Sequence, residues 1–412
     1  MLTTQAQIFS KARKEAPAEA EAISHRLLTR AGYIDQLASG IFSLLPLGVR
    51  VTQKIEAIIR QEMAALGAQE VLLPALQPAA LWARSKRLDT MEPPLFRLTD
   101  RHDRTLVLAS THEEVITELA RKNIESYKDL PVAVYQIQTK FRNETRATGG
   151  LLRVREFQMK DLYSFHRTAE DLQAYYDKVK QSYIRIFEQC DLTVRAVEAD
   201  SGSIGGSVSH EFSIAAPTGE DKVLFCSQCD YAANLETQAR AAATACPRCG
   251  GNVTVKACIE NGHIFQLGAK YSEALEALYT EEDGTRQPLL MGCYGIGIGR
   301  LMATIVETHH DDRGIVWPTA VSPYDIHLIV VHQSIREAAQ RFAEQASQYC
   351  AMLIDDRDIS AGQKFAEADL LGISTRVVMS EKTEEQGVIE VTQRATQEKS
   401  LVKPDEFLKQ FT

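Results

Sequence analysis

The chain has 412 residues, 44% of them hydrophobic and 25% charged, with a formal net charge of −9. That length supports two or three domains with a sizeable core. The acidic balance excludes a general nucleic-acid coat but not a local basic surface. No run of eighteen apolar residues exists, and the start MLTTQAQIFSKARKEAP has neither an apolar signal core nor an Arg-rich, acid-poor leader. A cytoplasmic protein with no membrane span is therefore expected, with thiols rather than disulfides among its eight cysteines.

Residues 19–38 read as a helical lead-in. In TQKIEAIIRQEMAALGAQEVLLPAL, Ile55, Ile58, Ile59, Met63 and Leu66 recur at helical spacing, and Gly67 fits the helix end. EVLLP then reads as a strand stopped by Pro74. Residues 95–109 read as a hairpin turning at DRHDR. In STHEEVITELARKNI, Ser110 or Thr111 is placed to cap a helix whose early acids, Glu113 and Glu114, suit its positive end. This is not the zinc motif HExxH, because Ile116 stands at the second histidine position.

Residues 139–166 gather Lys140, Arg142, Arg146, Arg153 and Arg155. Tyr135, Ile137 and Phe141 share one parity before RATGG, and Leu152 and Val154 alternate with Arg153 and Arg155 after it. The pattern predicts two antiparallel strands with the basic residues in a row on one face. Such a row suits a triphosphate, because guanidinium forks match phosphate oxygens. A helix over 167–192, the strand TVRAVEA and the glycine-rich turn SGSIGGSVSHEF follow.

The segment 218–256 breaks this rhythm. Cys226, Cys229, Cys246 and Cys249 have the C-x2-C-x16-C-x2-C spacing of a four-thiolate zinc ribbon. The alternative is a loop of free thiols, or a site that has lost its metal. HIFQLGAKYSEALEALY reads as a strand end and a helix. In RQPLLMGCYGIGIGRLMATIV a strand runs into Gly292, Gly295, Gly297 and Gly299, then Arg300 and an apolar helix. Neither a dinucleotide fingerprint nor a Walker loop fits; the glycines suit close backbone approach to a ligand. Past an irregular stretch at 317–325, the strands IHLIVV, AMLIDD, TRVVMS and GVIEVTQ alternate with helices over 334–349, 361–371 and 404–411. They predict a small α/β domain with a mixed sheet.

Three of these segments together resemble a family. Phe141-Arg142-Asn143-Glu144, a loop and Arg155-Glu156-Phe157 resemble motif 2 of the class II aminoacyl-tRNA synthetases. GIGIGR at 295–300 resembles motif 3, and residues 45–76 resemble motif 1, the dimer element. STHEE, FRNETR, REFQMKDLYSFH, GSIGGSVSHEF, GHIFQLGAKYSEAL, MGCYGIGIGR and DDRGIVWP narrow the resemblance to prolyl-tRNA synthetases of the bacterial type. It covers nearly the whole chain, and LIDDRDISAGQKFAEADLLGI resembles the family's anticodon-binding domain. The implied fold is α/β (α+β in the catalytic part). An antiparallel-sheet catalytic domain at 1–217 and 257–318 is interrupted by a short four-cysteine, zinc-ribbon-like insertion at 218–256. An anticodon-binding domain at 319–412 follows.

The resemblance implies ATP-dependent activation of proline to prolyl-adenylate and transfer to the 3′ end of tRNA(Pro), by a homodimer. Arg142 and Arg300 are the implied catalytic residues. Arg142 would hold the α-phosphate and the amino-acid carboxylate, and Arg300 the γ-phosphate, with Mg²⁺ on the triphosphate. Glu144 would accept from the adenine amine and Phe157 would stack on the ring, with Arg155, Glu260 and His263 also at the ATP. Thr111 and Glu113 would bind the imino group of L-proline, and Met159, Phe165, His210 and Cys293 would wall its ring. Arg357, Lys364 and Lys382 are candidates for the anticodon, and Arg146 and Arg153 for the acceptor end or outer phosphates. The chain departs from the family pattern at Ser110, Lys86, Asn261, Ser374 and PPLFR.

Only 218–256 stands where many bacterial relatives carry a large editing domain. The expectation is therefore no cis editing of Ala-tRNA(Pro), and a separate trans-acting deacylase. Two rivals remain: a paralogue that activates an amino acid for another carrier, and an inactive tRNA-binding regulator.

Overall fold

The apolar strands and helices at the C-terminal end alternate as their pattern predicts, but the N-terminus joins them. The computed structural model describes residues 1–235 and 245–411; the part of the four-cysteine segment at 236–244 lies outside the described residues. The chain divides into two units, one of Met1–Leu37, Phe42–Ile55 and Ile305–Thr412, the other of Ala38–Ile41 and Glu56–Thr304.

In the first unit a six-stranded sheet runs in the order Leu2–Thr4, Met352–Asp355, Ile326–Val330, Thr375–Met379, Ile389–Gln393 and Lys399–Val402. The first four strands are parallel and the last two antiparallel. Ile326, Leu328 and Val330 alternate inward against Ala339, Phe342 and Ala343 of the helix Arg336–Ala346. The expected lead-in helix spans only Ile23–Arg30. Gly32, at φ +72°, ends it, and the chain turns into the strand Ile34–Ala38. A buried pair anchors that turn: Trp317 Nε1 donates to Tyr33 Oη at 2.8 Å, and Tyr33 Oη donates to the Leu371 carbonyl at 2.7 Å.

The second unit is built on a nine-stranded sheet. Its order is Val208–Ala215, Val194–Glu198, Ala232–Asn234, Asp221–Cys226, Val253–Gly268, Leu290–Gly297, Glu156–His166, Val132–Phe141 and Gln69–Glu70. It is antiparallel as expected, apart from two parallel contacts at Glu198–Ala233 and at Gln69–Glu70. One face is covered by the helix Ala169–Gln189, whose Tyr183 and Phe187 meet Phe212 at 5.0 and 5.8 Å between ring centres. The other face is open to a cleft.

Two local expectations change. Tyr135 and Ile137 do lie in a ten-residue strand, but its partner begins at Glu156, opposite Phe141. Gly149 and Gly150 both take positive φ and turn the chain into a 3-10 segment at Gly150–Leu152. Arg153 and Arg155 therefore precede the strand, and the basic residues form no row. EVLLP joins the sheet only at its start, where Gln69–Glu70 pair and Val71 N donates to the Tyr135 carbonyl at 2.8 Å; side chains replace the ladder beyond it. Leu73 N donates to Gln136 Oε1 at 2.9 Å, and Gln138 Nε2 donates to the Leu73 carbonyl at 2.8 Å.

Beneath the cleft lies a buried polar network centred on Asp161. Its carboxylate accepts from Lys140 Nζ at 2.7 Å, Gln136 Nε2 at 2.9 Å and Tyr163 Oη at 2.9 Å. Tyr163 Oη in turn accepts from His112 N at 3.1 Å. Lys140 is fully buried, and burial lowers its pKa against the pull of Asp161. Asp161→Asn removes the counter-charge of a buried cation and is expected to destabilise the fold by about 3–5 kcal/mol. Chemical denaturation checks this; a loss within 1 kcal/mol would show that the network does not anchor the fold.

Candidate active site

The cleft holds about 390 Å³. On the strand Glu156–His166, alternation turns Phe157, Met159 and Asp161 toward it. Lys160, on the opposite face, reaches Tyr183 Oη of the covering helix. Thr111, Glu113, Arg142, Glu144, Phe157, Met159, Glu260, His263, Cys293 and Arg300 all line this one space, although they are spread over 190 positions of sequence.

At one end sits a carboxylate. Thr111 and Ser110 do not cap the helix Glu113–Asn123; His112 takes that position without a side-chain bond. The Thr111 hydroxyl instead donates to Glu113 Oε1 at 2.8 Å, and the Cys293 thiol donates to the same oxygen at 3.1 Å. Burial, then the charge of Glu113, push the Cys293 pKa well up, so the thiol keeps its proton. Arg87 is buried between Glu113 and Glu114, at 3.2 and 3.0 Å. Against the burial that would raise it, the Arg87 charge and the Thr111 bond hold Glu113 below the usual carboxylate range. Burial instead raises Glu114. Arg87 carried no motif, so only its position identifies it. Beside it Lys86 adopts φ +61°, a conformation that favours glycine.

Further along stand two guanidinium groups. Arg142 follows the last pair of its strand, 5.2 Å above the Phe157 ring centre. Its Nε is buried with no hydrogen-bond partner among the described residues. Burial, then the nearby Arg300 charge, lower its pKa. Arg300 donates through Nε to the Leu152 carbonyl at 2.9 Å and through Nη1 to the Glu260 carbonyl at 3.0 Å. Arg300 also meets Glu260 Oε2 at 3.5 Å, whereas the Arg142 side chain beside it has no such pair among the described residues. Two neighbouring guanidinium groups form a place for an anion.

Beyond them lie three groups whose ligand atoms fall within 4.8 Å of one another: Glu211, Glu260 and His263. His263 Nδ1 is 3.2 Å from Glu260 Oε1. Against burial, that contact and the charges of His263, Arg300 and Arg142 hold Glu260 down to about 2. Burial and the neighbouring Glu260 push Glu211 up to about 8. Sequence reading singled out His210 rather than Glu211. In the structure, alternation turns His210 to the helix side, where its Nδ1 meets Tyr176 Oη at 2.7 Å, and Glu211 faces the cleft group. Alternation puts the two residues on opposite faces but does not by itself say which one faces the cleft.

Other expected residues lie apart from the cleft. Phe165 is in the core with Tyr163, Phe265 and Cys293. Arg155 braces the loop, donating from Nε to the Glu144 carbonyl at 3.1 Å and from Nη1 to the Ser39 carbonyl at 2.5 Å. Arg153, by contrast, lines the cleft and pairs with Glu144 at 2.9 Å and Glu220 at 3.2 Å, while Arg146 is exposed. In the other unit, Arg357 is bound by Asp355 and Glu367, at 2.7 and 2.6 Å. Lys364 donates to the Val330 carbonyl at 2.6 Å, and Lys382 is exposed. The four thiols of Cys226, Cys229, Cys246 and Cys249 converge within 4.8 Å, with Cys226–Cys249 at 3.5 Å and Cys229–Cys246 at 3.7 Å.

Residues 96–309 match the class II core domain of the tRNA synthetases for G, H, P, S and T, and 325–412 match an anticodon binding domain. The chain is 35% identical to a proline–tRNA ligase of Dehalococcoides mccartyi strain 195, over 96% of each. It is 36% identical to that of Syntrophus aciditrophicus, over 97% of this chain and 96% of the relative. It is also 36% identical to that of Bacillus cytotoxicus, over 98% of each. The fold is similar to a Giardia lamblia prolyl-tRNA synthetase in complex with prolyl-adenylate, at a TM-score of 0.78 and 21% identity, covering 97% of this chain and 78% of that one. The chain belongs to the proline–tRNA ligases, a family of class II aminoacyl-tRNA synthetases.

Proposed function

We propose that this cleft joins L-proline to ATP as prolyl-adenylate and passes the prolyl group to the 3′ end of tRNA(Pro). The observation that carries the reading is the half-buried Arg142 next to Arg300, its buried Nε without a hydrogen-bond partner among the described residues. In the first step the proline carboxylate attacks the α-phosphate and pyrophosphate leaves. In the second the tRNA hydroxyl takes the prolyl group and AMP leaves. The reactants of the first step are both negative. Arg142 neutralises and aligns them, Arg300 holds the outer phosphate, and no protein nucleophile is needed. Glu144 accepts from the adenine amine, and Phe157 stacks on its ring. At the far end the secondary ammonium of proline offers two N–H donors, for which Glu113 and Thr111 are acceptors. Met159 and Cys293 wall the ring.

Mg²⁺, when bound, would supply charge neutralisation to the phosphates, and carboxylate oxygens are ligands that suit it. Glu211 and Glu260 would hold it, with His263 orienting Glu260. The anticodon-binding unit favours tRNA over another carrier, and retention of Arg142, Glu144 and Arg300 disfavours an inactive regulator. Proline-dependent pyrophosphate–ATP exchange and tRNA(Pro) charging test the reading; exchange without charging would favour the paralogue. Arg142→Ala is expected to lower exchange roughly 10²- to 10³-fold.

The four thiols fit zinc, since a tetrahedral site with Zn–S of about 2.3 Å has S···S edges of roughly 3.8 Å. Cys226, Cys229, Cys246 and Cys249 would hold it, fixing a segment with little core of its own. Protein purified without added metal is expected to carry near one zinc per chain; a clean zero sinks the assignment.

A homodimer is proposed through residues 45–76, where Leu72 and Leu76 are 75% and 48% exposed. No helix among the described residues is long and apolar enough to cross a membrane, in keeping with a proposed cytoplasmic enzyme.

Absence of cis editing is supported by length. The alignments run to 546 and 555 positions, against a chain of 412 residues, so these relatives carry over a hundred residues without a counterpart here. Alanine is smaller than proline and a small apolar difference discriminates weakly, so a trans-acting deacylase is proposed as partner. The purified protein is expected to leave Ala-tRNA(Pro) intact; rapid deacylation by it alone refutes this.

A further inference from the structure

The strand Val253–Gly268 carries a bulge at the cleft. Phe212 of the neighbouring strand pairs with Gly262 and Ser213 pairs with Glu260, so Asn261 is the extra residue. Plain alternation would set Glu260 and His263 on opposite faces. The extra residue shifts the parity, which is why both side chains reach the same group.

Asn261 itself lines the cleft and is 2% exposed. Its Nδ2 donates to the Ile259 carbonyl at 3.1 Å. That contact orients the amide, because the reversed side chain would set two acceptors against each other. The Oδ1 is therefore an acceptor, and it has no hydrogen-bond partner among the described residues. Buried polar groups are almost always hydrogen-bonded, so an acceptor held in this way is suited to a donor on a ligand.

The chemistry of the bound molecules narrows that donor. This step rests on the ATP reading above. The prolyl ammonium is served by Glu113 and Thr111, and the adenine amine by Glu144. Glu260, next along the strand from Asn261, holds Arg300 through its carbonyl, which puts Asn261 among the nucleotide's groups. Apart from the adenine amine, the hydrogen-bond donors on the nucleotide are the ribose hydroxyls. We propose that Asn261 Oδ1 accepts a hydrogen bond from a ribose hydroxyl of the bound nucleotide, and that Asn261 helps select ribonucleotides over deoxyribonucleotides.

The test is proline-dependent pyrophosphate exchange with ATP, 2′-deoxy-ATP and 3′-deoxy-ATP on the wild-type chain, Asn261→Ala and Asn261→Val. The valine variant keeps the volume should alanine not fold. Wild type is expected to show a KM for one deoxy analogue roughly three- to tenfold above that for ATP, the effect of one neutral hydrogen bond. In both variants the ATP KM rises to the analogue's and the discrimination disappears, with the proline KM unmoved. Three outcomes overturn the proposal: discrimination that survives in the variants, an ATP KM that does not change (the acceptor is then met by water), or a proline KM that rises instead. A wild-type chain with no exchange would sink the ATP-activation reading itself. Calorimetric binding of ATP and the two analogues then reads the same ratio independently.

Discussion

The ion pair of Asp161 with Lys140 is the constraint on which the site depends. Both groups are buried, and a buried charge is tolerated only with a partner and a full set of hydrogen bonds. Satisfying Asp161 takes Lys140 and Gln136 from one strand and Tyr163 from the next. Gln136 then fixes the backbone at Leu73, and Tyr163 fixes it at His112. The loop that carries Thr111 and Glu113 is thereby fastened to the sheet that carries Phe157 and Met159. Each fastening is a hydrogen bond that the buried carboxylate or its partner requires, so the two walls of the cleft cannot shift separately without exposing an unsatisfied group.

Charge within the cleft is arranged by the same logic in reverse. Glu113 is compensated by Arg87 and two hydrogen-bond donors, so it is anionic and held in one orientation. Arg142 Nε is buried without a hydrogen-bond partner among the described residues. One end of the cleft thus suits an ammonium and the middle suits an anion. Proline carries both charges a few ångströms apart, and ATP brings the rest of the negative charge. The ordering along the cleft follows from which buried charges are paired and which are not.

Sequence pattern and structure part at a few places. The basic residues of 139–166 form a row only if alternation runs through residues 152–155. Two glycines at positive φ turn the chain out of that register before Glu156. At His210 and Glu211 alternation holds, but a sequence does not say which of two adjacent polar residues faces the cleft. At Glu260 and His263 alternation fails, because of the bulge at Asn261. Ser110 and Thr111 have the composition of a helix cap, yet a buried carboxylate two residues on takes the threonine hydroxyl. In each case plain alternation or composition is overridden by a turn, a bulge or a buried partner that it does not encode.

The order of strands and helices, the family and the residue types of the site were legible in sequence, because each rests on local periodicity or on short motifs whose spacing is preserved. The four-cysteine spacing was legible for the same reason, and the structure brings those thiols together. Tertiary structure alone decided the partners of the charges. Arg87 carries no motif and enters through packing; Glu211 and Arg155 belong to motifs, but packing puts Glu211 rather than His210 beside Glu260 and His263 and turns the Arg155 guanidinium to backbone carbonyls. The strand Leu2–Thr4 likewise belongs to the sheet of residues 326–402, some 350 positions away. A pairing between distant segments is set by register and burial, and neither quantity is a property of any one stretch of sequence.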